Sequence, residues 1–224
     1  MKKEEPVVKI KKSEETRKKI LEAALELFRE KGFEQTTMRE ISENASMALG
    51  AAYYYFDSKE KLVLAYYRQS LEEMREFIST SSFRQERRLK ERLYSVLDDK
   101  FKRLKPYRMF LGVLFRIAAD PSSPISPFGD EAREIRDETI SVYREITDGS
   151  DISIPQDLKE HLPRLLWLHQ MGLILFWLHD HSRNQMRTKL LLEKSLDMIL
   201  MLLRIGKLPL MGPVRRSVLE LLNV

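Results

Sequence analysis

The sequence predicts an all-α protein, and three observations support this fold class. Only eight of the 224 residues are Gly and nine are Pro, which is too few for a protein built from many strands and turns. Leu, Glu, Lys and Arg dominate the composition, and these residues favour helices. Apolar residues recur at helical spacing along most of the chain. We expect about nine or ten helices, three short ones first and longer ones after them.

The composition excludes several classes of protein. The chain has no cysteine, so disulfides, thiolate metal sites and a cysteine nucleophile are ruled out. The most apolar run, 171–178, is about half the length that spans a bilayer. The basic start of the chain is not followed by an apolar run, as a signal peptide would require. We therefore expect a soluble, cytoplasmic protein that makes no membrane contact.

Charge is distributed unevenly along the chain, although the net charge is only +5. Residues 1–19 carry eight Lys or Arg against four Glu, whereas residues 120–160 carry eleven acidic residues against four basic ones. A basic front end indicates a polyanionic partner that meets one part of the molecule. The alternative is that these charges only solvate helix faces.

Three short helices are predicted within the first 56 residues. Ser13 is expected to cap the first, which ends at Lys31 before Gly32. Thr37 and Glu40 form the pattern of a capping box, which predicts a second helix to about Asn44. A four-residue turn follows, and then a third helix over 49–55.

The rest of the chain predicts longer helices. Ser82-x-x-Gln85, Pro106, and Ser153-Ile-Pro-Gln156 each mark a helix start, and the stretch 121–127 is a proline-rich loop. The expected helices cover about 58–80, 82–105, 106–120, from Pro127 to 148, 155–181 and 183–205, and the tail 207–224 adds one short amphipathic helix.

Two helices of about two turns each, joined by a tight turn, form the shape that places the second helix in the DNA major groove. Gly50 and Ala51 give that second helix a slim front end. The three consecutive tyrosines at 53–55 point about 100° apart, so at least one must face outward. The tyrosines offer hydroxyls to phosphates, Lys59 offers a cation, and the start of the first helix of the pair offers free backbone N–H groups near Thr37. The alternative is a pair of short core helices without a ligand.

These residues carry a resemblance to a known family. The pattern comprises Thr16-Arg17, Ile20-Leu21, Ala23-Ala24, Leu27-Phe28, Gly32-Phe33, Thr36-Thr37, Ile41, Gly50, Tyr53, Tyr55-Phe56, Ser58-Lys59-Glu60 and Leu62. It resembles the DNA-binding domain of the TetR/AcrR family of transcriptional repressors, over about 50 of the 224 residues. The resemblance implies an all-α homodimer with an N-terminal helix-turn-helix DNA-binding domain and a C-terminal helical domain for ligand binding and dimerisation. The DNA contacts expected from the resemblance and the turn geometry are Thr37, Ala48, Leu49, Gly50, Ala51, Tyr53, Tyr54 and Lys59.

The turn departs from the family pattern. Family members usually show Ala-Gly-Val-Ser before the recognition helix, whereas this chain has Ala-Ser-Met-Ala at 45–48. The hydroxyl cap is lost, at a cost of about 1 kcal/mol. The recognition helix also has few bidentate donors, so readout would depend on Tyr54 and on contacts of Leu49 or Ala51 with thymine methyl groups. We expect modest specificity or a strong contribution from DNA shape.

The larger domain is expected to hold an effector. We divide the chain into two domains. The first, over 1–56, comprises a basic arm and the helix-turn-helix DNA-binding domain, which we call the reading head. The second covers 57–224 and begins with a linking helix over 57–80. The segment 106–120 is apolar almost all round, which predicts a buried central helix in which Arg116 pairs with an acid or an anionic ligand head group. The candidate ligand-binding residues, for which plain core packing is the alternative, are Met109, Phe110, Val113, Arg116, Ile117, Tyr143, Trp167 and Phe176.

The hairpin 155–205 is the expected dimerisation element, because two such hairpins can form a four-helix bundle across a two-fold axis. The resemblance implies the same interface. Its candidate stripe is Leu191, Ser195, Met198 and Leu202. All four histidines fall between 161 and 181 without the spacing of a metal site. We expect no metal, no cofactor and no enzymatic activity, since phosphate loops and nucleophile motifs are also missing from the sequence.

The sequence therefore predicts a ligand-responsive repressor. It would bind double-stranded DNA at a pseudo-palindromic operator as a homodimer, and a small apolar or amphipathic effector would release it. The alternative comes from the segment 175–182, followed by Thr188, which is similar to the lipid-binding accessory proteins of ubiquinone biosynthesis. Those proteins share the fold but no longer read DNA.

Overall fold

The structure is a computed structural model that describes residues 6–120 and 122–206, with side chains described from residue 12 onward. Every regular element in these ranges is helical, which confirms the predicted fold class. The elements are α1 (Pro6–Lys31), α2 (Met38–Asn44), α3 (Leu49–Tyr55), α4 (Lys59–Ser79), α5 (Ser81–Gln85), α6 (Leu89–Leu104), α7 (Arg108–Ala118), α8 (Arg133–Asp148), α9 (Gln156–Lys159), α10 (Leu162–His179) and α11 (Met186–Ile205). None of these helices is both long and apolar enough to cross a bilayer.

Local sequence signals place some helix boundaries correctly and others wrongly. The helix-turn-helix pair has the expected bounds, but α1 begins at Pro6, so Ser13 lies inside it and caps nothing. The helix expected from Ser82 is two helices, since Glu86 is extended with ψ 126°. The predicted tail helix 207–224 lies outside the described residues.

Two further helices differ from the prediction. The one expected from Pro127 begins at Arg133. The one expected from 155 is divided into α9 and α10, with Pro163 in the first turn of α10. Proline cannot donate a main-chain hydrogen bond and clashes with the preceding turn, so a helix starts at it more easily than it continues through it.

The chain divides into two compact units. The first unit comprises the chain up to Gln69 together with Leu104–Arg133, and the second comprises Ser70–Arg103 together with the chain from Glu134. In the first unit, α7 packs on α1 through Phe110, whose ring stacks on that of Phe28 at 5.1 Å. The buried residues of this unit include Ile20, Ala24, Phe28, Ile41, Ala52, Phe56, Leu62, Phe110 and Leu114.

The expectation that α7 is buried all round is wrong. Phe110 and Leu114 are buried, but Met109 is 84% exposed and Arg116 is also exposed. Met109 and Arg116 are seven residues apart, close to two helical turns, so they share one face. That face lies in solvent, and Arg116 needs no buried partner.

The second unit is centred on α6, α8, α10 and α11. Its core includes Leu93, Leu97, Tyr143, Ile146, Trp167 and Leu196. The Tyr143 hydroxyl donates a hydrogen bond of 2.8 Å to Oε1 of Gln170 inside this core. Because both side chains are buried, the hydrogen bond satisfies groups that have lost their water.

A buried arginine does occur, at Arg92 of α6. Its guanidinium donates to the carbonyl oxygens of Glu86 at 2.8 Å and Ile146 at 2.9 Å. The same group lies 4.4 Å from the centre of the Phe83 ring. Arg92 therefore links the segment before α6 to the end of α8 within the second unit.

A carboxylate organises the turn between α10 and α11. Asp180 Oδ2 accepts hydrogen bonds from the Thr188 N–H at 2.8 Å and the Thr188 hydroxyl at 2.7 Å, and Oδ1 accepts from the Ser182 N–H at 2.9 Å. Burial by itself raises the pKa of Asp180, but these hydrogen bonds hold it well below its usual range. The Asp180 and Thr188 of the lipid-protein resemblance thus have a structural role in closing the hairpin.

Candidate nucleic-acid interface

The start of α2 is held by the capping box that the sequence predicts. The Glu40 N–H donates to Oγ1 of Thr37, and the Thr37 N–H and hydroxyl both donate to Oε2 of Glu40, each at 2.8 Å. Lys31 forms an ion pair with the other carboxylate oxygen. The Lys31 ammonium and the Thr37 donors lower the pKa of Glu40 to about 2. Thr37 is exposed, as a phosphate contact must be.

The turn between α2 and α3 is tight and strained at one residue. Ser46 has a φ of +55°, in the left-handed region where a side chain costs energy. The Met47 N–H donates to the Ser42 carbonyl oxygen at 2.8 Å, which closes the turn. Ala48 stands at the N-cap of α3 without a side-chain hydrogen bond, so the lost cap is confirmed.

The tyrosines of α3 provide its exposed surface. Tyr54 is 82% exposed and Tyr53 47% exposed, which confirms that the run cannot be buried as a whole. Tyr55 is half-buried, and its ring contacts that of Tyr54 edge-on at 5.2 Å. Ala52 is buried and fixes the inner side of the helix. Among the other predicted contacts, Ala48 and Gly50 are exposed, and Leu49 and Ala51 are half-buried.

Lys59 has a structural role that the sequence did not reveal. Its ammonium donates to the carbonyl oxygens of Phe33 at 2.8 Å and Glu34 at 3.3 Å, and it lies 4.7 Å from the centre of the Phe33 ring. Two of its three N–H donors are therefore used by the turn before α2. One donor is left for a phosphate.

Arg17 on α1 is a second positioning residue, and sequence reasoning did not single it out. Its guanidinium lies 4.4 Å from the centre of the Phe56 ring. One of its nitrogens donates to the Tyr55 carbonyl oxygen at 3.5 Å, at the end of α3. The sequence did contain a signal for Arg17, because it follows Thr16 in the family pattern. Its contact with the end of α3 explains that place in the pattern.

The eight candidate ligand residues fall in both units. In the first unit, Val113, Arg116 and Ile117 line one cavity, and Phe110 belongs to the core. In the second unit, Tyr143 and Trp167 are buried in the core and Phe176 is exposed.

The four candidate dimer residues divide into two pairs. Met198 and Leu202 are each 58% exposed. Leu191 packs half-buried against the core, and the Ser195 hydroxyl lies 2.8 Å from Nε2 of His169 on α10. The exposed apolar residues of α10 and α11 are Leu168, Leu175, Phe176, Met186, Leu190, Met198, Met201, Leu202 and Ile205.

His169 of α10 is half-buried. Burial lowers the pKa of His169, because it disfavours the charged imidazolium. Within the described ranges, no group of three or more His, Asp or Glu side chains is placed to hold a metal ion.

Family models match both parts of the sequence. The model described as bacterial regulatory proteins, tetR family, matches residues 20–66, and that described as tetracyclin repressor-like, C-terminal domain, matches residues 92–219. The chain belongs to the TetR family. TetR proteins are transcriptional regulators and not enzymes, and the first of the two matches contains α2 and α3.

Curated TetR relatives are similar over short segments. The HTH-type transcriptional repressor AcnR of Corynebacterium efficiens is 39% identical over 64 residues, which are 29% of this chain and 34% of the relative. The biofilm operon icaADBC HTH-type negative transcriptional regulator IcaR of Staphylococcus epidermidis is 39% identical over 54 residues, 24% of this chain and 27% of the relative. The chain thus spans about a third or less of the length of these two relatives.

Solved TetR structures share the fold over most of the chain. A TetR transcriptional regulator from Nitrosomonas europaea aligns with a TM-score of 0.62 and 17% identity, over 81% of this chain and 96% of the other. The regulator FadR from Bacillus subtilis, solved in complex with stearoyl-CoA, aligns with a TM-score of 0.57 and 19% identity, over 80% and 95%. At these identities the likeness concerns the fold.

Proposed function

We propose that this chain is a transcriptional repressor that binds a pseudo-palindromic operator as a homodimer. The observation that carries the proposal is the exposed face of α3, where Tyr53 and Tyr54 project beside the slim positions Gly50 and Ala51. Two hydroxyl groups on a short helix with no bulky front end can reach phosphates and base edges in a major groove. We assign DNA recognition to residues 1–56, the reading head. Thr37 and Lys59, which stand before and after α3 in the chain, are the proposed phosphate contacts.

The homodimer is supported by the apolar surface of the last two helices. Solvent-exposed apolar side chains on neighbouring helices are typical of an interaction surface. Met198 and Leu202 are central to it, and a matching surface on a second copy would complete a four-helix bundle. Two reading heads at about 34–36 Å would then meet successive major grooves.

Effector control from the larger part of the chain would use two states of the dimer that differ in the separation of their heads. A small apolar or amphipathic effector lowers operator affinity only if it binds one state better, and a tenfold loss needs about 1.4 kcal/mol of differential binding. The larger part of the chain, 57–224, is assigned this role. As a DNA-binding member of a bacterial family, the protein would act in the cytoplasm, where the chromosome lies.

The test is a salt titration of the full chain with a fluorescent duplex from the DNA that flanks its own gene, beside a scrambled duplex. We expect binding that persists near physiological salt for the native duplex only, and the slope against salt gives the number of phosphate contacts. Equal, salt-labile binding to both duplexes would contradict sequence-specific recognition.

Two variants test the hydroxyl group and the ring of Tyr54 separately. Tyr54→Phe removes only the hydroxyl, and Tyr54→Ala also removes the ring. Because Tyr54 is exposed, neither should lower the thermal midpoint, and both should weaken native-duplex binding. If both variants bind the native duplex as tightly as the wild type, α3 is not the reading helix. In that case lipid extracted from the purified protein becomes the measurement that supports the lipid-binding alternative.

A further inference from the structure

A cavity of about 350 Å³ lies within the first unit, between the turn that joins α1 to α2 and the exposed side of α7. The turn contributes residues 31–35, and α7 contributes Val113, Arg116 and Ile117. Its volume is near the lower end of the range for small-molecule sites, so it suits a small ligand. Three residues predicted as effector contacts therefore share one cavity.

The chemistry of the walls selects an amphipathic anion. Val113, Ile117 and Phe33 give apolar surface, and the Arg116 guanidinium is exposed at the cavity. Among the side chains that the structure describes, in 12–120 and 122–206, Arg116 has no hydrogen bond or ion pair. An arginine fork without a carboxylate partner matches an incoming carboxylate in geometry and charge. Glu34 also lines the cavity, and its negative charge would repel an anion. A substitution of Glu34 is therefore a second test of the same site.

The cavity also lies next to the contacts that position α2. Lys31 in its wall forms the ion pair with Glu40, and Glu40 caps α2 through Thr37. Lys59 holds the same turn from the other side, through the carbonyl oxygens of Phe33 and Glu34. A ligand that shifts this turn would thus act directly on the start of the helix-turn-helix.

We propose that this cavity is an effector site for a small amphipathic carboxylate, with Arg116 binding the carboxylate and Val113 and Ile117 binding its apolar tail. The regulatory part of this inference rests on the proposed function, because only a DNA-binding protein can be released from an operator. The binding part does not. Ligand that prefers one arrangement of the turn would bias α2 without any signal from the second unit.

The test of binding is equilibrium dialysis of radiolabelled decanoate against the full-length protein without DNA. We expect Arg116→Gln to weaken decanoate binding about tenfold, as for loss of a charge-assisted hydrogen bond. Glu34→Gln should strengthen it severalfold, because a repulsive charge is removed. Arg164→Gln removes one charge from an exposed arginine of the second unit and should leave binding unchanged.

Further ligands and a cavity-filling variant sharpen the result. Decanol, which has the tail without the charge, should bind more weakly than decanoate, and inorganic phosphate should compete poorly because it has no tail. Ile117→Trp should fill the cavity and abolish binding while the thermal midpoint stays near that of the wild type. Wild-type protein that does not bind decanoate would overturn the proposal, as would Arg116→Gln and Ile117→Trp proteins that bind it normally.

Coupling to DNA is measured separately, by anisotropy of the native duplex with and without decanoate. We expect decanoate to weaken duplex binding by the wild type and by Arg164→Gln, but not by Arg116→Gln. If the protein binds decanoate in a way that depends on Arg116 but binds no duplex, the ligand site stands and the proposed function is wrong. If bound decanoate does not change the affinity for the duplex, the site has no regulatory role.

Discussion

The ammonium group of Lys59 lies 2.8 Å from the carbonyl oxygen of Phe33, and this contact fixes the turn that precedes α2. A residue expected to meet phosphate is therefore also a structural clamp. The two roles have different consequences for a variant, since one concerns DNA affinity and the other concerns the stability of the free protein.

Lys59→Ala is expected to lower the free energy of unfolding by about 1–2 kcal/mol, because two carbonyl oxygens lose a charged donor. It should also weaken binding to the native duplex. Lys61→Ala is the matched control, since Lys61 pairs with Glu131 at the surface and such pairs contribute about 0–1 kcal/mol. Urea unfolding of both variants measures the difference. Equal stabilities would show that the clamp contributes nothing.

Ala48→Ser is expected to raise the free energy of unfolding by about 1 kcal/mol. Ala48 already has the extended backbone of an N-cap, and a serine hydroxyl there could accept a hydrogen bond from the first turn of α3. Ala48→Val has no acceptor and serves as the control. Thermal unfolding checks the prediction, and a serine variant no more stable than the valine variant would contradict it.

Met198→Glu is expected to convert the dimer to monomer, because a carboxylate replaces an exposed apolar side chain at the centre of the proposed interface. Operator affinity should fall with it, since two heads are needed. Lys189→Glu introduces the same residue about half a turn away around α11 and should leave the dimer intact. Sedimentation velocity distinguishes the two. A dimer that persists in Met198→Glu places the interface elsewhere.

Lys100→Met is expected to stabilise the protein by about 1–3 kcal/mol at pH 7. Burial disfavours the charged ammonium and lowers the pKa of Lys100 to about 8, and the ammonium donates a hydrogen bond of 3.0 Å to the Ser70 hydroxyl. The unfolded chain binds more protons than the folded one between pH 8 and 10.5, so wild-type stability should rise with pH across that window.

The advantage of Lys100→Met should therefore be largest below pH 8 and shrink toward pH 10.5. Lys102→Met is the control, because Lys102 is exposed and pairs with Asp98 at 2.7 Å. Unfolding curves at several pH values decide the matter. A pH-independent difference between wild type and Lys100→Met would mean that the Lys100 ammonium is solvated in the folded state.

Arg92→Lys is expected to cost about 2–4 kcal/mol, although it conserves the charge. A lysine ammonium is a compact donor and cannot reach the carbonyl oxygens of both Glu86 and Ile146 as the planar guanidinium does. Arg88→Lys, at an exposed arginine that binds the Glu86 carboxylate, should cost far less. Chemical unfolding compares them, and equal losses would contradict a special role for Arg92.

The helix-turn-helix could be predicted from sequence because its signals are local. Thr37 and Glu40 are three residues apart, and their capping box depends on little beyond the helix that it starts. The tyrosine run at 53–55 likewise predicts its own exposure from helical geometry. What could not be predicted was Lys59, since its partner Phe33 lies 26 residues away and only the packed fold brings them together.

The two arginines show where sequence reasoning fails. Arg116 lies in an apolar run and is exposed, whereas Arg92 lies in a charged segment and is buried. Burial depends on which neighbouring elements cover a helix face, and the sequence of that helix does not specify them. A signal for Arg92 was present, since it falls among Leu89, Leu93 and Val96 at the spacing of the buried face.

The hydrogen bonds of Arg92 end on main-chain oxygens, and this choice of partner affects how the sequence can change. Every residue type supplies a carbonyl oxygen, so the side chains of Glu86 and Glu145 can be exchanged while the arginine keeps its acceptors. A side-chain partner would have required two positions to change together. The carbonyl acceptors therefore place no demand on the side chains of Glu86 and Glu145, and the requirement for a long, branched, permanently charged donor falls on position 92.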